Sequence, residues 1–212
     1  MMALEPILAL FTVYLSFVFG LVYLFFEAYP VSFSEERGMS PGVASLTFIS
    51  ILLGVFCGCA LLAFTTTTRL APNPQEGRFQ ETRLLLMIAG AATLPIGLFW
   101  FAWTSFPSIN PWPQIIAGVP IGFSVIVITL QGLNYIIDCY TVNANSALAA
   151  MTFVRSWFGA AFPLFAGIMF RKLGVPWATS TLAFIACALL PVPVLFYKFG
   201  AKIRSMSKYV PN

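Results

Sequence analysis

The chain contains runs of more than twenty residues without a charged side chain. Residues 38–68, 84–110 and 111–137 hold no Asp, Glu, Lys or Arg. A helix needs about 20 apolar residues to cross about 30 Å of hydrocarbon, whereas barrel strands need short alternating segments. With 59% hydrophobic and 8% charged residues, the chain also has too little polar surface for a water-soluble globule, which is usually about a quarter charged. The runs therefore predict an all-α polytopic membrane protein.

Six apolar stretches are long enough to span a bilayer. The loops between them are short, and the loop 106–113 has three prolines that disfavour helix and hold it extended. This loop divides the chain into three spans plus three, although no residue-level repeat relates the two triplets. The predicted spans cover residues 8–31, 43–65, 84–105, 114–137, 146–169 and 177–199.

Basic residues are unequally divided between the two sides of the predicted membrane. Seven of the eleven Lys and Arg residues lie on the side that holds both termini, whereas the opposite side has Arg37, Arg171 and Lys172. Arg155 lies inside a span. By the positive-inside rule, both termini are predicted to be cytosolic. The first run lacks a basic segment before it and is too long for a signal peptide, so we interpret it as a retained span.

The composition argues against several classes of function. There is no histidine, so His-based zinc sites and His-activated nucleophiles are excluded, and no Walker loop or dinucleotide fingerprint is present. The four cysteines lie in or beside spans, where thiols usually fill apolar space. Basic residues lie at helix ends and in loops rather than on one basic surface, which argues against binding of nucleic acid. We predict a non-enzyme without metal or cofactor.

Small residues recur at spacings that allow helices to pack closely. Gly54 and Gly58, and then Gly118 and Gly122, have GxxxG spacing. Such positions let two backbones approach each other in lipid. Packing within the chain is favoured over a specific dimer motif.

Glu27 and Tyr23 are predicted to form a cation-binding pair. They are four residues apart in the first span and so share a helix face. An ionisable group at membrane depth costs about 2.5–3.5 kcal/mol and normally faces a cavity or a partner. The alternative is that Glu27 only reaches the outer interface, because Pro30 and Glu35 follow closely.

A polar stripe runs along the cytosolic end of the fourth span. Gln131, Asn134, Tyr135 and Asp138 follow one another at helical spacing, and such a stripe cannot comfortably face lipid. Gln131, Asn134 and Tyr135 are candidates to line a substrate path, and hydrogen bonding to neighbouring helices is an equal alternative. Asp138 is predicted to be interfacial or to take part in an ion pair or gate.

Arg155 lies about nine residues into the fifth span, which places it about 14 Å deep. A charge at this depth needs an anionic partner, carbonyl groups or water. We predict an internal ion pair or a gating role, and the alternatives are substrate contact or coupling to protons.

Six segments have a distinctive sequence. They are YLFFEAYP at 23–30, PIGLFWFAWTS at 95–105, INPWPQIIAGVPIGF at 109–123, QGLNYIIDCY at 131–140, NANSALAAMTFVRSWFGAAFPLFAG at 143–167 and GVPWATS at 174–180. These segments resemble the C-terminal half of fungal major facilitator transporters, most closely the polyamine and multidrug proton antiporters with twelve helices. The resemblance covers essentially the whole chain and implies that the six spans are helices seven to twelve.

The resemblance implies proton-coupled export of small cationic or amphiphilic compounds by alternating access. Related amine antiporters hold cations through a carboxylate in helix seven, where Glu27 lies. The implied partners are the lipid bilayer and a small-molecule substrate, the coupling ion is a proton, and the implied location is the plasma membrane. The sequence departs from these relatives at 73–79, which reads NPQEGRF, and the N-terminal six helices are absent. The alternative is a truncated half that transports nothing alone, self-associates or needs a separate N-terminal half.

Overall fold

The computed structural model describes residues 6–69, 79–140 and 143–205. Every regular element in these ranges is helical, which confirms the predicted all-α class. The segment 73–79, where the sequence departs from the relatives, lies outside the described residues apart from Phe79. Two of the basic residues counted for the orientation, Arg78 and Lys208, also lie outside them. The helices are α1 (Pro6–Tyr29), a π-helix (Pro30–Glu36), α2 (Pro41–Leu46), α3 (Ile49–Arg69), α4 (Phe79–Thr104), α5 (Pro111–Tyr140), α6 (Ala144–Leu189) and α7 (Pro191–Ser205).

Within the described ranges, five helical segments are long and apolar enough to cross a membrane. The sequence predicted six, and the difference arises after residue 143. There the fifth and sixth predicted spans lie in one segment that Gly174 divides with φ +76° and ψ 156°, a left-handed conformation that favours glycine. The five segments are Leu8–Glu36, Pro41–Thr67, Arg83–Thr104, Pro111–Tyr140 and Ala144–Lys198.

Glycines allow α3 and α5 to cross at backbone distance. A Cβ atom on Gly54 would overlap the carbonyl oxygen of Val119, and one on Gly122 would overlap the carbonyl oxygen of Ile51. The two GxxxG pairs predicted from the sequence therefore pack against each other within the chain.

α5 packs along α4 as well as α3, and α7 packs mainly against α4. α1 packs along the first part of α6, where Gly20 lies against Phe162 and Gly159 lies against Phe19. On the other side of the bundle, α4 meets the second part of α6 through two ring contacts, Phe99 with Phe184 at 5.1 Å and Trp103 with Trp177 at 6.0 Å. As a result, α3 and the first part of α6 lie at the two edges and have exposed apolar faces.

Charged side chains form hydrogen bonds and ion pairs between the helices at both ends of the bundle. At one end, the Arg37 guanidinium donates to the carbonyl oxygens of Ile109 (2.6 Å), Thr104 (2.9 Å) and Phe106 (3.1 Å). Burial lowers the pKa of Arg37 while the neighbouring Glu36 raises it, and an arginine remains charged through such shifts. The contacts hold the end of the π-helix against the loop that leads into α5.

A second outer contact joins the π-helix to α6. Arg171 donates to Glu35 at 3.0 Å, and both side chains are exposed. At the opposite end of the bundle, Arg83 and Asp138 pair at 3.1 Å between α4 and α5.

Candidate functional site

Aromatic side chains form a continuous row across one face of the bundle. We call Phe19, Tyr23, Phe26 and Phe48 the aromatic row. Consecutive ring centroids are 5.1, 6.2 and 5.6 Å apart, within the range of aromatic pairs. The first three residues are three or four apart on α1, so they share a helix face. Phe26 is 56% exposed, so the row is accessible from outside the bundle.

Glu27 belongs to the same face of α1. It follows Tyr23 by one turn and is exposed, whereas Tyr23 is half-buried. The predicted pair thus shares a face, with the carboxylate farther along the helix than the ring. Glu27 lies about 12 Å beyond Phe19 along the axis, because eight residues of helix separate them.

Arg155 on α6 lies at the other end of the row. Its guanidinium carbon is 4.6 Å from the ring centroid of Phe19, a distance at which a cation is attracted to the ring face. Gly159 makes this approach possible, since a Cβ there would lie 3.1 Å from Phe19 and 3.2 Å from Tyr23. Arg155 is half-buried. Within the described part of the chain, the structure shows no carboxylate in an ion pair with it.

An apolar pocket adjoins the row where α1, α3 and α5 meet. It encloses about 160 Å³ and its lining is wholly apolar. Phe26 and Phe48 belong both to the row and to the pocket, so the two features form one continuous surface. The pocket is lined by Val22, Phe25, Phe26, Phe48, Ile51, Val55, Ile121 and Val125.

The packing of α5 buries some residues of the polar stripe predicted on the fourth span and leaves others partly exposed. Gln131 is 6% exposed and Tyr135 is fully buried, whereas Asn134 is half-buried. The Tyr135 ring stacks on Phe11 of α1 at 5.0 Å. In this conformation Tyr135 is a packing residue, and Asn134 is the more accessible member of the stripe.

The two residues predicted for an ion pair or gate have different neighbours. Asp138 pairs with Arg83 at the start of α4, while Arg155 lies over Phe19. The structure therefore does not bring Arg155 and Asp138 together in one pair.

The chain is similar along its length to fungal transporters. A cercosporin MFS transporter from Cercospora nicotianae is 57% identical over 100% of this chain, which covers 41% of that protein. A citrinin biosynthesis cluster MFS transporter from Monascus ruber is 54% identical over 100% of the chain and 43% of the relative. An MFS-type efflux pump from Trichophyton rubrum is 42% identical over 97% of the chain and 35% of the relative.

The chain belongs to the major facilitator superfamily (MFS). It corresponds to the C-terminal half of the fungal transporters, as the sequence motifs predicted. The assignment to the polyamine and multidrug antiporter group stays a prediction. This MFS chain spans about two fifths of the length of the curated relatives it matches. No protein-family model and no solved structure matches the chain.

Sequence reasoning missed most of the aromatic row of this MFS chain. It identified Tyr23, and the same helical spacing could have found Phe19 and Phe26 beside it. Phe48 carries no such signal, because it lies between α2 and α3 and reaches the row only through tertiary packing. Arg83 was likewise missed as the partner of Asp138, since 55 residues separate them in the sequence.

Proposed function

We propose that the chain forms one wall of the path of an MFS transporter that exports small amphiphilic compounds. Export would proceed by alternating access and be coupled to protons. Tyr23 and Glu27 would contact the substrate, and Asn134 would line the path. Gln131 and Tyr135 are buried and would line the path only in a second conformation in which α1 and α5 move apart.

The observation that carries this proposal is the aromatic row with charged groups at its ends. Arg155 is about 16 Å from the start of its apolar segment, which begins at Ala144. A charge at this depth is costly in hydrocarbon and normally faces a cavity filled with water. A face that joins exposed rings to Arg155 and Glu27 therefore suits a wet path for a molecule with both apolar and polar parts.

The charges on this face suit a small amphiphile better than a polyamine. A polyamine carries several positive charges and would need several carboxylates. Among the described residues of the row and its neighbours, Glu27 is the one carboxylate. Glu27 would attract a cationic group, and Arg155 would attract an anionic one.

The relatives support export of small organic molecules. Their names connect them with cercosporin, with a citrinin biosynthesis cluster and with efflux. From these names we infer for this chain only the general class of substrate, a small molecule that is moved across a membrane. We place the transporter in the plasma membrane with both termini of this chain in the cytosol.

The proposed partner is a second bundle of six helices that corresponds to the rest of the relatives' length. It would cover the aromatic row from the opposite side and close the path. A second candidate function, a half that transports nothing by itself or that self-associates, is favoured by the share of the relatives that the chain covers. Expressing the chain alone and together with the remainder of a relative separates the two functions, because only the pair should export.

A chimera tests the transport proposal directly. The part of the cercosporin transporter outside the match is joined to this chain, and export of cercosporin is measured in cells at equal surface abundance. Glu27→Gln should weaken export. Glu35→Gln removes the same charge from an exposed carboxylate that pairs with Arg171, and it should leave export unchanged. Unchanged export in Glu27→Gln would remove Glu27 from the site.

A further inference from the structure

Among the described residues, the contact that the structure shows for the Arg155 guanidinium is with the Phe19 ring, whose centroid is 4.6 Å from the guanidinium carbon. A cation–π contact of this kind leaves the five N–H donors of the guanidinium available for hydrogen bonds. The hydroxyl of Ser156, its neighbour in α6, donates within the helix to the Thr152 carbonyl oxygen at 2.9 Å. The edge of Arg155 is therefore suited to an oxyanion, which a planar guanidinium binds through paired hydrogen bonds.

Glu27 does not fill this role. It lies about 12 Å from the level of Phe19 along α1, and Tyr23 stands between them. Glu27 also lies about 28 Å from Leu8, the start of its apolar segment, which places it near the outer edge of the hydrocarbon. Water can solvate a carboxylate there, whereas Arg155 is deeper and gains more from a bound counter-charge.

The apolar pocket has room for one ring system at the other end of the row. A cavity of about 150 Å³ lined by apolar side chains accommodates benzene in another protein, and this pocket measures about 160 Å³. Between Arg155 and the pocket lie Phe19 and Tyr23, with spacings of 4.6, 5.1 and 6.2 Å from the guanidinium to Phe26. Together these spacings describe a path of up to about 16 Å, which suits a molecule with a long, flexible linker between an apolar ring and an acidic group.

We infer that this face binds aromatic organic acids, with the acidic group at Arg155 and the ring in the apolar pocket. The inference rests on the proposed function and specifies its substrate class. Phe19 and Tyr23 would contact the linker between the two ends. Arg155 would then be a specificity-determining residue that separates weak acids from neutral and cationic compounds of the same shape.

Three probes that share a phenyl ring and a long linker and differ in their head group test the inference. They are 8-phenyloctanoate, 8-phenyloctanamide and 8-phenyloctylamine. Binding to the full chain in phosphatidylcholine nanodiscs is measured by equilibrium dialysis, with empty nanodiscs subtracted. The acid should bind at least about tenfold more tightly than the amide, which corresponds to about 1.4 kcal/mol. The amine should bind no more tightly than the amide.

Variants assign the preference to residues. Arg155→Gln should lower the acid-to-amide ratio to about one while amide binding persists, which also shows that the variant is folded. Arg155→Lys should keep part of the preference, because it keeps the charge without the planar donors. Arg171→Gln removes an exposed arginine far from the row and should change nothing. Val55→Trp should weaken all three probes alike by filling the pocket.

Several results would overturn the inference. Equal binding of acid and amide, a preference for the amine, or a ratio that Arg155→Gln leaves intact would each do so. If Arg155→Gln loses amide binding as well, Arg155→Lys decides, and the inference fails unless the lysine variant still favours the acid. Loss of the preference in phosphatidylglycerol nanodiscs would assign Arg155 to a lipid headgroup instead. Export of cercosporin by the chimera would still support the proposed function in all these cases.

Discussion

Replacing Gly122 by alanine should separate α3 from α5. A Cβ at this position would overlap the carbonyl oxygen of Ile51 and lie 2.9 Å from its carbonyl carbon and 3.1 Å from its Cα. These are backbone atoms in the first turn of α3, so no side-chain rotation can relieve the contact. The two helices must therefore move apart or tilt.

The size of the effect follows from two opposing terms. Overpacking a close contact typically costs about 1–3 kcal/mol, whereas glycine to alanine inside a helix gains about 0.5–1 kcal/mol. Because the overlap is with backbone atoms, its cost should lie in the upper part of that range, and we expect Gly122→Ala to lower the free energy of unfolding by about 1–2 kcal/mol. Gly167 provides a matched control, because a Cβ there meets nothing within 4 Å. Gly167→Ala should be neutral or slightly stabilising.

The free energies of unfolding can be compared by titrating both variants in mixed micelles with sodium dodecyl sulfate and following far-UV circular dichroism. Gly122→Ala should also weaken binding of the phenyl probes, since Ile51 and Val55 of α3 line the apolar pocket. If Gly122→Ala is as stable as the unsubstituted chain, the close crossing of α3 and α5 is incorrect.

Two further substitutions test the charged contacts at the ends of the bundle. Arg37→Gln should lower the free energy of unfolding by about 1–3 kcal/mol, because charge-assisted hydrogen bonds to three carbonyl oxygens are lost. The same titration measures this loss, and proteolysis at residues 105–110 should become faster. An unchanged cleavage rate there would contradict the role of the Arg37 hydrogen bonds in holding this loop. Asp138→Asn should cost less than about 1 kcal/mol, because the Arg83–Asp138 pair is about one quarter exposed and solvent screens such pairs. A much larger loss would contradict the argument that solvent screens the Arg83–Asp138 pair.

The fold class followed from the sequence because hydrocarbon leaves the backbone few choices. Long uncharged runs must satisfy their own hydrogen bonds as helices, and the GxxxG pairs at Gly54 and Gly122 indicated where two backbones meet. The number of spans differs after residue 143, where the structure has one continuous apolar segment. The predicted gap between the last two spans, residues 170–176, contains Gly174, where the backbone departs from helical geometry.

For the candidate site, local spacing determines only which residues share a helix face. Tyr23 and Glu27 share a face because helix geometry requires it at four residues' separation. Which neighbour covers a face depends on tertiary packing, so Tyr135 shares the polar stripe and yet is buried against Phe11. Tertiary packing also determines the neighbour of Arg155. The charge alone predicted an ion pair with a carboxylate, whereas the structure places the Phe19 ring beside the guanidinium.

The most direct test of the account compares two phenylalanines in the chimera with the cercosporin transporter. Phe26 in the aromatic row is 56% exposed and Phe184, on the far side of the bundle against Phe99, is 61% exposed. Phe26→Leu and Phe184→Leu remove the same ring from equally exposed positions. At equal surface abundance, Phe26→Leu should reduce cercosporin export several-fold while Phe184→Leu exports normally. Normal export by Phe26→Leu, or equal loss in both variants, would contradict the assignment of the aromatic row to the transport path.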